Sequence, residues 1–231
     1  MIEVRKGVDR YQADYGWLKT KYSFSFGEYR DMNRVRFRSL RVLNDDWIAP
    51  KTGFPSHPHQ NMEIITYVTS GQLKHQDSQG SEGILGPGGI QRMSAGTGII
   101  HSEENPSEIP LTLFQTWILP REHGLEPSYE DSHIDKIPGD SQFKVIASSE
   151  PIEGALTIQQ DALMAISKLE RDSIFRREID PSKGFYIHLI DGDLMVNDVV
   201  LEPGDAAVGE DESVYLLRSH NGSHALIFEL S

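Results

Sequence analysis

The sequence predicts an all-β protein in which a sandwich or barrel is present twice. Three observations carry this. Glycine and proline, 20 and 12 residues, are spread along the chain as punctuation. Between them lie short runs of β-branched and aromatic residues, and no stretch sustains the 3.6-residue apolar period of a helix. The halves also repeat one another. EIITYVTSGQL, GPGG and LTLFQTWIL in the first correspond to FYIHLIDGDL, EPGD and HALIFEL in the second. Each reads strand, Gly turn, strand, Pro-Gly turn and late apolar strand.

Taken in order, the clearest strands are Arg36 to Leu43, Glu63 to Val68, Leu111 to Leu119, Phe185 to Ile190, Ser213 to Leu217 and Ala225 to Leu230. Helix should be scarce. The segment REHGLEPSYEDSHIDKIPGDS, 121–141, is polar and turn-rich and marks the boundary. The expected domains are residues 1–132 and 133–231.

Composition narrows the function. The chain has 231 residues, 38% hydrophobic and 25% charged, which excludes wholesale disorder. No apolar run approaches the ~20 residues of a membrane span. The opening MIEVRKGVDRYQADYG has no apolar core of a secretory signal. With Cys 0 there is no disulfide, thiolate metal site or cysteine nucleophile. These features lead to the expectation of a cytoplasmic protein. Twenty-two basic against 35 acidic residues give a net charge of −13, which repels a phosphate backbone and argues against direct nucleic-acid contact. Chemistry is left to His, Asp, Glu or a bound cofactor.

One constellation carries that chemistry. His57 and His59 precede a strong strand signal in GFPSHPHQNMEIITYVTSG. Two residues apart on an extended chain, they point to one face. Pro58 between them disfavours a helical conformation at His57. Downstream, MSAGTGIIHSEENP places His101 and Glu103 at the same spacing. Three imidazoles and a carboxylate suit one divalent ion such as Fe(II), Mn, Ni, Cu or Zn. The glycines of GPGG and AGTG read as turn residues, since no helix signal follows them to make a phosphate site.

These residues also carry a family resemblance. The pattern from Gly53 to Gly71, followed by His101 and Asn105, resembles the two motifs of the cupin superfamily. More narrowly, GFPSHPHQNMEIITYV, HQDSQG and MSAGTGIIHSEENP, with YSFSFGEY and RVLNDD, resemble the pirin family of two-domain cupins. The resemblance implies a bicupin of two facing jelly-roll β-barrels with one divalent metal in the first, Fe(II) foremost. The implied ligands are His57, His59, His101 and Glu103. For several bacterial members it implies quercetin 2,3-dioxygenase activity, so the expected partners are a small aromatic substrate and dioxygen. Glu103 would then act as general base on the substrate's hydroxyl. The competing expectation is a non-enzymatic redox sensor or regulatory protein acting through a protein partner, as in pirins of higher organisms. Another cupin chemistry, such as metal-dependent isomerisation, is the third.

Glu63 competes with Glu103. It lies four residues after His59, on the same inward face if the strand runs on without a bulge, and in most metal cupins that glutamate is the ligand. Two ligating carboxylates would crowd the ion, and the pirin resemblance implies that the carboxylate comes from the position of Glu103, so Glu63 is expected to orient a ligand histidine. Gln115, a polar residue in an apolar strand, reads equally as inward, toward a bound oxygen, or outward. His75 reads as structural. His123, His133, His220 and His224 read as exposed, and Asp45/Asp46 and Asp211/Glu212 as solvated turns. In the second half, ungapped alignment puts Glu178 and Asp180 at the places of His57 and His59, and Leu217 near that of His101. That half, with only His188, His220 and His224, is expected to hold no metal.

Overall fold

The computed structural model describes residues 2–231. Among them there is no α-helix, and two single 3₁₀ turns, Gly7–Asp9 and Ile134–Lys136, interrupt the strands. No helix is long and apolar enough to cross a membrane.

The chain opens with β1 (Ile2–Arg5), β2 (Tyr11–Asp14), β3 (Leu18–Tyr22) and β4 (Leu40–Ile48). Next come β5 (Gly53–His59), β6 (Glu63–Ser70), β7 (Leu73–Asp77) and β8 (Glu82–Leu85). The middle of the chain forms β9 (Gly89–Ser94), β10 (Ile99–Glu104), β11 (Leu111–Ile118) and β12 (Ser128–His133). After β13 (Lys144–Ser148) and the short β14 (Leu156–Thr157) come β15 (Ala162–Leu169), β16 (Ser173–Glu178) and β17 (Gly184–Gly192). The chain closes with β18 (Leu194–Val196), β19 (Val199–Leu201), β20 (Ala206–Gly209), β21 (Val214–Ser219) and β22 (Ser223–Leu230). The strand expected from Arg36 starts only at Leu40, because Arg38 turns the chain at a φ of 50°. It then runs on through Asp45 and Asp46, so that pair lies in a strand and not in a solvated turn.

Two compact units result. One comprises residues 11–136 and 156–160, the other residues 2–10, 137–155 and 161–231. The first has a large sheet in the order β12–β9–β6–β11–β4–β3–β2 and a small sheet β5–β10–β7–β8. An apolar cluster that includes Ile48, Val68 and Leu113 from the large sheet, and Leu73 and Leu85 from the small one, joins its layers. In the second, the large sheet runs β1–β20–β17–β22–β15–β13 and the small sheet β16–β21–β18–β19. The first strand therefore belongs to the second unit and not to residues 1–132 as expected. Ile2 pairs with Gly209 and Arg5 with Ala206, and the Asp205 carboxylate accepts hydrogen bonds from the Gly7 amide and from Lys6.

The repeated topology has a matching anchor in each unit. Gly71 has a φ of 75°, and a Cβ there would lie 2.5 Å from the Pro110 carbonyl, at the start of β11. Gly192 has a φ of 84°, and a Cβ there would strike the Gly222 carbonyl, at the start of β22. Only glycine fits both corners. Counting from these anchors, the strand registers match position by position. Arg177 then takes the place of His57, Tyr215 that of His101 and Leu217 that of Glu103. The ungapped alignments miss this because the second half is one residue longer between β16 and its Gly corner and two residues shorter between its Pro-Gly turn and β21.

Candidate metal centre

His57 and His59 sit on β5, an edge strand of the small sheet, where Pro55 and Pro58 forfeit no interior ladder bond. Antiparallel pairing sets His101 of β10 opposite His57. The register then shifts, so that Glu103 stands opposite Phe54. Such an irregularity re-aims side chains locally. Gly53 lets the two backbones meet there, since a Cβ at that position would overlap the Glu103 carbonyl.

The three imidazoles converge. Ring centroids are 4.7 Å apart for His57 and His59, 4.5 Å for His57 and His101, and 4.9 Å for His59 and His101. His57 Nδ1 lies 2.8 Å from the Pro55 carbonyl, which can only accept, so that nitrogen carries the proton and Nε2 presents a lone pair. His57 Nε2 faces His101 Nε2 at 3.0 Å. Burial, with the neighbouring imidazoles, lowers the His59 pKa to about 4 and that of His101 to about 2. Neutral imidazole is the ligating form. Three imidazoles whose ring nitrogens lie within 4.8 Å of one another are the donor set a divalent cation satisfies.

Glu103 lies deeper, 1% exposed. Its Oε1 accepts from Gln91 Nε2 at 2.7 Å and Thr66 Oγ1 at 3.4 Å, and its Oε2 from Gln115 Nε2 at 2.7 Å. Burial pushes its carboxyl up to about 7 against those bonds, and nearby Asp46 adds to the rise. Gln115 therefore points inward, onto Glu103, with its own oxygen accepting from Trp117 Nε1.

Four expectations change. Glu63 does not orient a histidine: its carboxylate accepts from Ser94 Oγ at 2.8 Å and from the Gln159 amide at 3.3 Å. The strand does not run on from His59, because Asn61 turns the chain at a φ of 51° and β6 joins the other sheet. Within β6, Thr66 faces Glu103, so alternation puts Glu63 on the opposite face. His75 is fully buried on β7 opposite Glu103, stacks on Tyr129 at 4.3 Å, and holds Asp77 at 3.1 Å through Nε2. Its donor atoms lie within 4.8 Å of those of His101 and Glu103, making a second convergent group that shares His101. Asp46 is 3% exposed inside the barrel. His224 is half-buried, and burial lowers its pKa to about 4.

A cavity of about 350 Å³ leads to this cluster, within the range of small-molecule sites. Tyr22, Phe26, Phe54 and Trp117 form its aromatic walls; His57, His59 and Glu103 close one part, and Asn44, Asp46 and Gln115 supply polar groups. The missed members of the site, His75, Asn44 and Asp46, share one signal: a polar residue two positions from an apolar one, on the same strand face, as with Leu73 in LKHQD and with Val42 and Ile48 in LRVLNDDWI.

Comparison with known proteins fixes the family. Residues 4–118 match the model described as Pirin, and residues 145–230 that of the quercetinase C-terminal cupin domain. Quercetin 2,3-dioxygenase of Escherichia coli (strain K12) is 38% identical over 231 residues, spanning 100% of this chain and 99% of the relative. The chain belongs to the pirin family. This pirin also superposes on the crystal structure of the bacterial pirin YhhW from E. coli in complex with nickel(II). The TM-score is 0.94 at 37% identity, over 100% of this chain and 99% of that one. Quercetin 2,3-dioxygenase from Acinetobacter baumannii shares the fold, with a TM-score of 0.83 at 21% identity over 99% of this chain and 85% of that one. This pirin is thus a bicupin whose first barrel carries a His and Glu cluster suited to a divalent metal.

Proposed function

We propose that this pirin is a metal-dependent dioxygenase that opens a flavonol-like aromatic ring, in the manner of quercetin 2,3-dioxygenase. The observation that carries the reading is the aromatic-walled cavity that ends on His57, His59 and the buried Glu103. A divalent ion held by His57, His59, His101 and Glu103, Fe(II) foremost, would supply a Lewis acid that acidifies a substrate hydroxyl and a centre for dioxygen. The nickel(II) complex of the E. coli relative fits the breadth of such a donor set.

The chain's own residues do the rest. Phe26, Phe54 and Trp117 hold a flat ring against the histidines and exclude water. Glu103, fixed by Gln91 and Gln115, takes the proton as the O–H bond of the hydroxyl breaks. Both atoms of dioxygen enter the opened ring product, and one ring carbon leaves as CO. A regulatory protein would need no way in for a planar ligand, so the cavity favours turnover.

The test is quercetin turnover by protein of known metal content, read as CO release and dioxygen uptake. Turnover is expected, and Glu103→Gln should lower kcat by at least ~100-fold, the usual contribution of a positioned base. No CO with any of the five candidate metals overturns the reading.

A further inference from the structure

The polar groups inside the first barrel form one row across its large sheet. Strand pairing sets Tyr22, Asn44, Gln115, Thr66 and Gln91 side by side on β3, β4, β11, β6 and β9. Gln115, Thr66 and Gln91 all donate to Glu103. Asn44 is the next member, 3% exposed and against the cavity, yet its carboxamide oxygen has no hydrogen-bond partner. A buried amide left in that state destabilises the fold, since its oxygen has given up water for nothing in return. The fold does not need it. In the second barrel the row reads Ala165, Ile227, Ile187 and Ala207 at the places of Asn44, Gln115, Thr66 and Gln91, all buried in the apolar core.

Asp46 follows two residues along β4, on the same face, 3% exposed and also against the cavity. Tyr22, Phe26 and Trp117 adjoin this pair as an edge-to-face series, with centroids 5.2 Å apart at each step. The geometry points to Asn44 and Asp46 as the specificity-determining pair of the site, binding the hydroxyls of an uncharged, polyhydroxylated aromatic ring. This rests on the flavonol reading and names which flavonols the site selects. Rotation of the Asn44 amide about χ2 turns either its oxygen or its nitrogen to the ligand, whereas the Asp46 carboxylate only accepts. The Asp46 carboxylate against the cavity disfavours an anionic ligand. A site built to bond a hydroxyl discriminates strongly against a ligand lacking it, because the buried Asn44 oxygen then stays unpaired.

The test uses two probes on the metal-loaded protein under nitrogen. These are quercetin, hydroxylated on both ring systems, and 3-hydroxyflavone, which keeps only the 3-hydroxyl. Dissociation constants are read from quenching of tryptophan fluorescence, to which the cavity residue Trp117 contributes. The wild type should prefer quercetin by about tenfold or more, the worth of one good hydrogen bond. Asn44→Leu and Asp46→Asn should each cut that preference by about five- to tenfold, with 3-hydroxyflavone binding changed less than about twofold. The melting temperature of Asn44→Leu should stay level or rise, which a structural role for the amide would not allow. An unchanged preference in both variants, or equal loss of both ligands, overturns the inference while leaving the CO assay of the wild type standing. Failure of the wild type to bind either probe overturns the inference together with the reading beneath it.

Discussion

The two barrels share one strand order and one anchoring glycine corner, yet they fill their interiors in opposite ways. In the first, β5 and β10 bring His57 opposite His101, and the buried polar row collects around Glu103. At the matching positions of the second, Arg177 stands opposite Tyr215, and Leu217 and Val196 replace Glu103 and His75 in a continuous apolar core. Glu229, at the place of Trp117, accepts from Arg177 at 2.8 and 3.1 Å and from the Tyr215 hydroxyl at 2.9 Å. Arg177 also lies 4.5 Å over the Phe143 ring. The second barrel thus supplies a cation from its own chain, and its carboxylate is satisfied. The first presents three converging imidazoles and an open wall instead. The backbone tolerates either solution, and what separates a site from a core is whether the buried polar groups find partners inside the chain.

Three changes break or sharpen this contrast. The largest effect belongs to His101→Ala, because His101 is shared by both convergent donor groups. Elemental analysis should show about one metal per chain in the wild type and almost none in the variant. Full occupancy after that change would move the site elsewhere.

The counterpart in the second barrel is Glu229→Gln. Losing the charge beneath Arg177 should lower the unfolding free energy by about 2 kcal/mol. That is less than for a fully buried pair, since the Arg177 side chain is 33% exposed. Urea unfolding measures it. Metal content and CO release should be unchanged, and loss of metal would show that the barrels do not divide their roles this way.

The smallest effect is expected of Glu63→Gln. A residue orienting a ligand histidine would cost roughly 10–100-fold in activity. Since Glu63 bonds Ser94 and the Gln159 amide instead, turnover should change less than about threefold, with metal retained. A loss beyond tenfold would couple Glu63 to the histidines after all.

The sequence by itself determined the β content, the duplication and the three histidines, because these depend on local rules. Alternation along a strand and proline's restriction at His57 act over two residues, so His57 could be paired with His59, and His101 with Glu103, by spacing alone. Gln115 was visible as polar but not in direction. Tertiary structure decided everything that depends on which sheet a strand joins. The turn at Asn61 sends β6 to the large sheet and Glu63 away from the histidines. The run of β4 through Asp46 turns an apparent surface pair into a half-buried Asp45 and a buried Asp46 that lines the cavity. The pairing of β1 with β20, across some two hundred residues of chain, carries residues 2–10 into the second unit. A one-residue change of register moves every side chain of a strand to the other face, and register is fixed by turns and by distant partners that no short window of sequence contains.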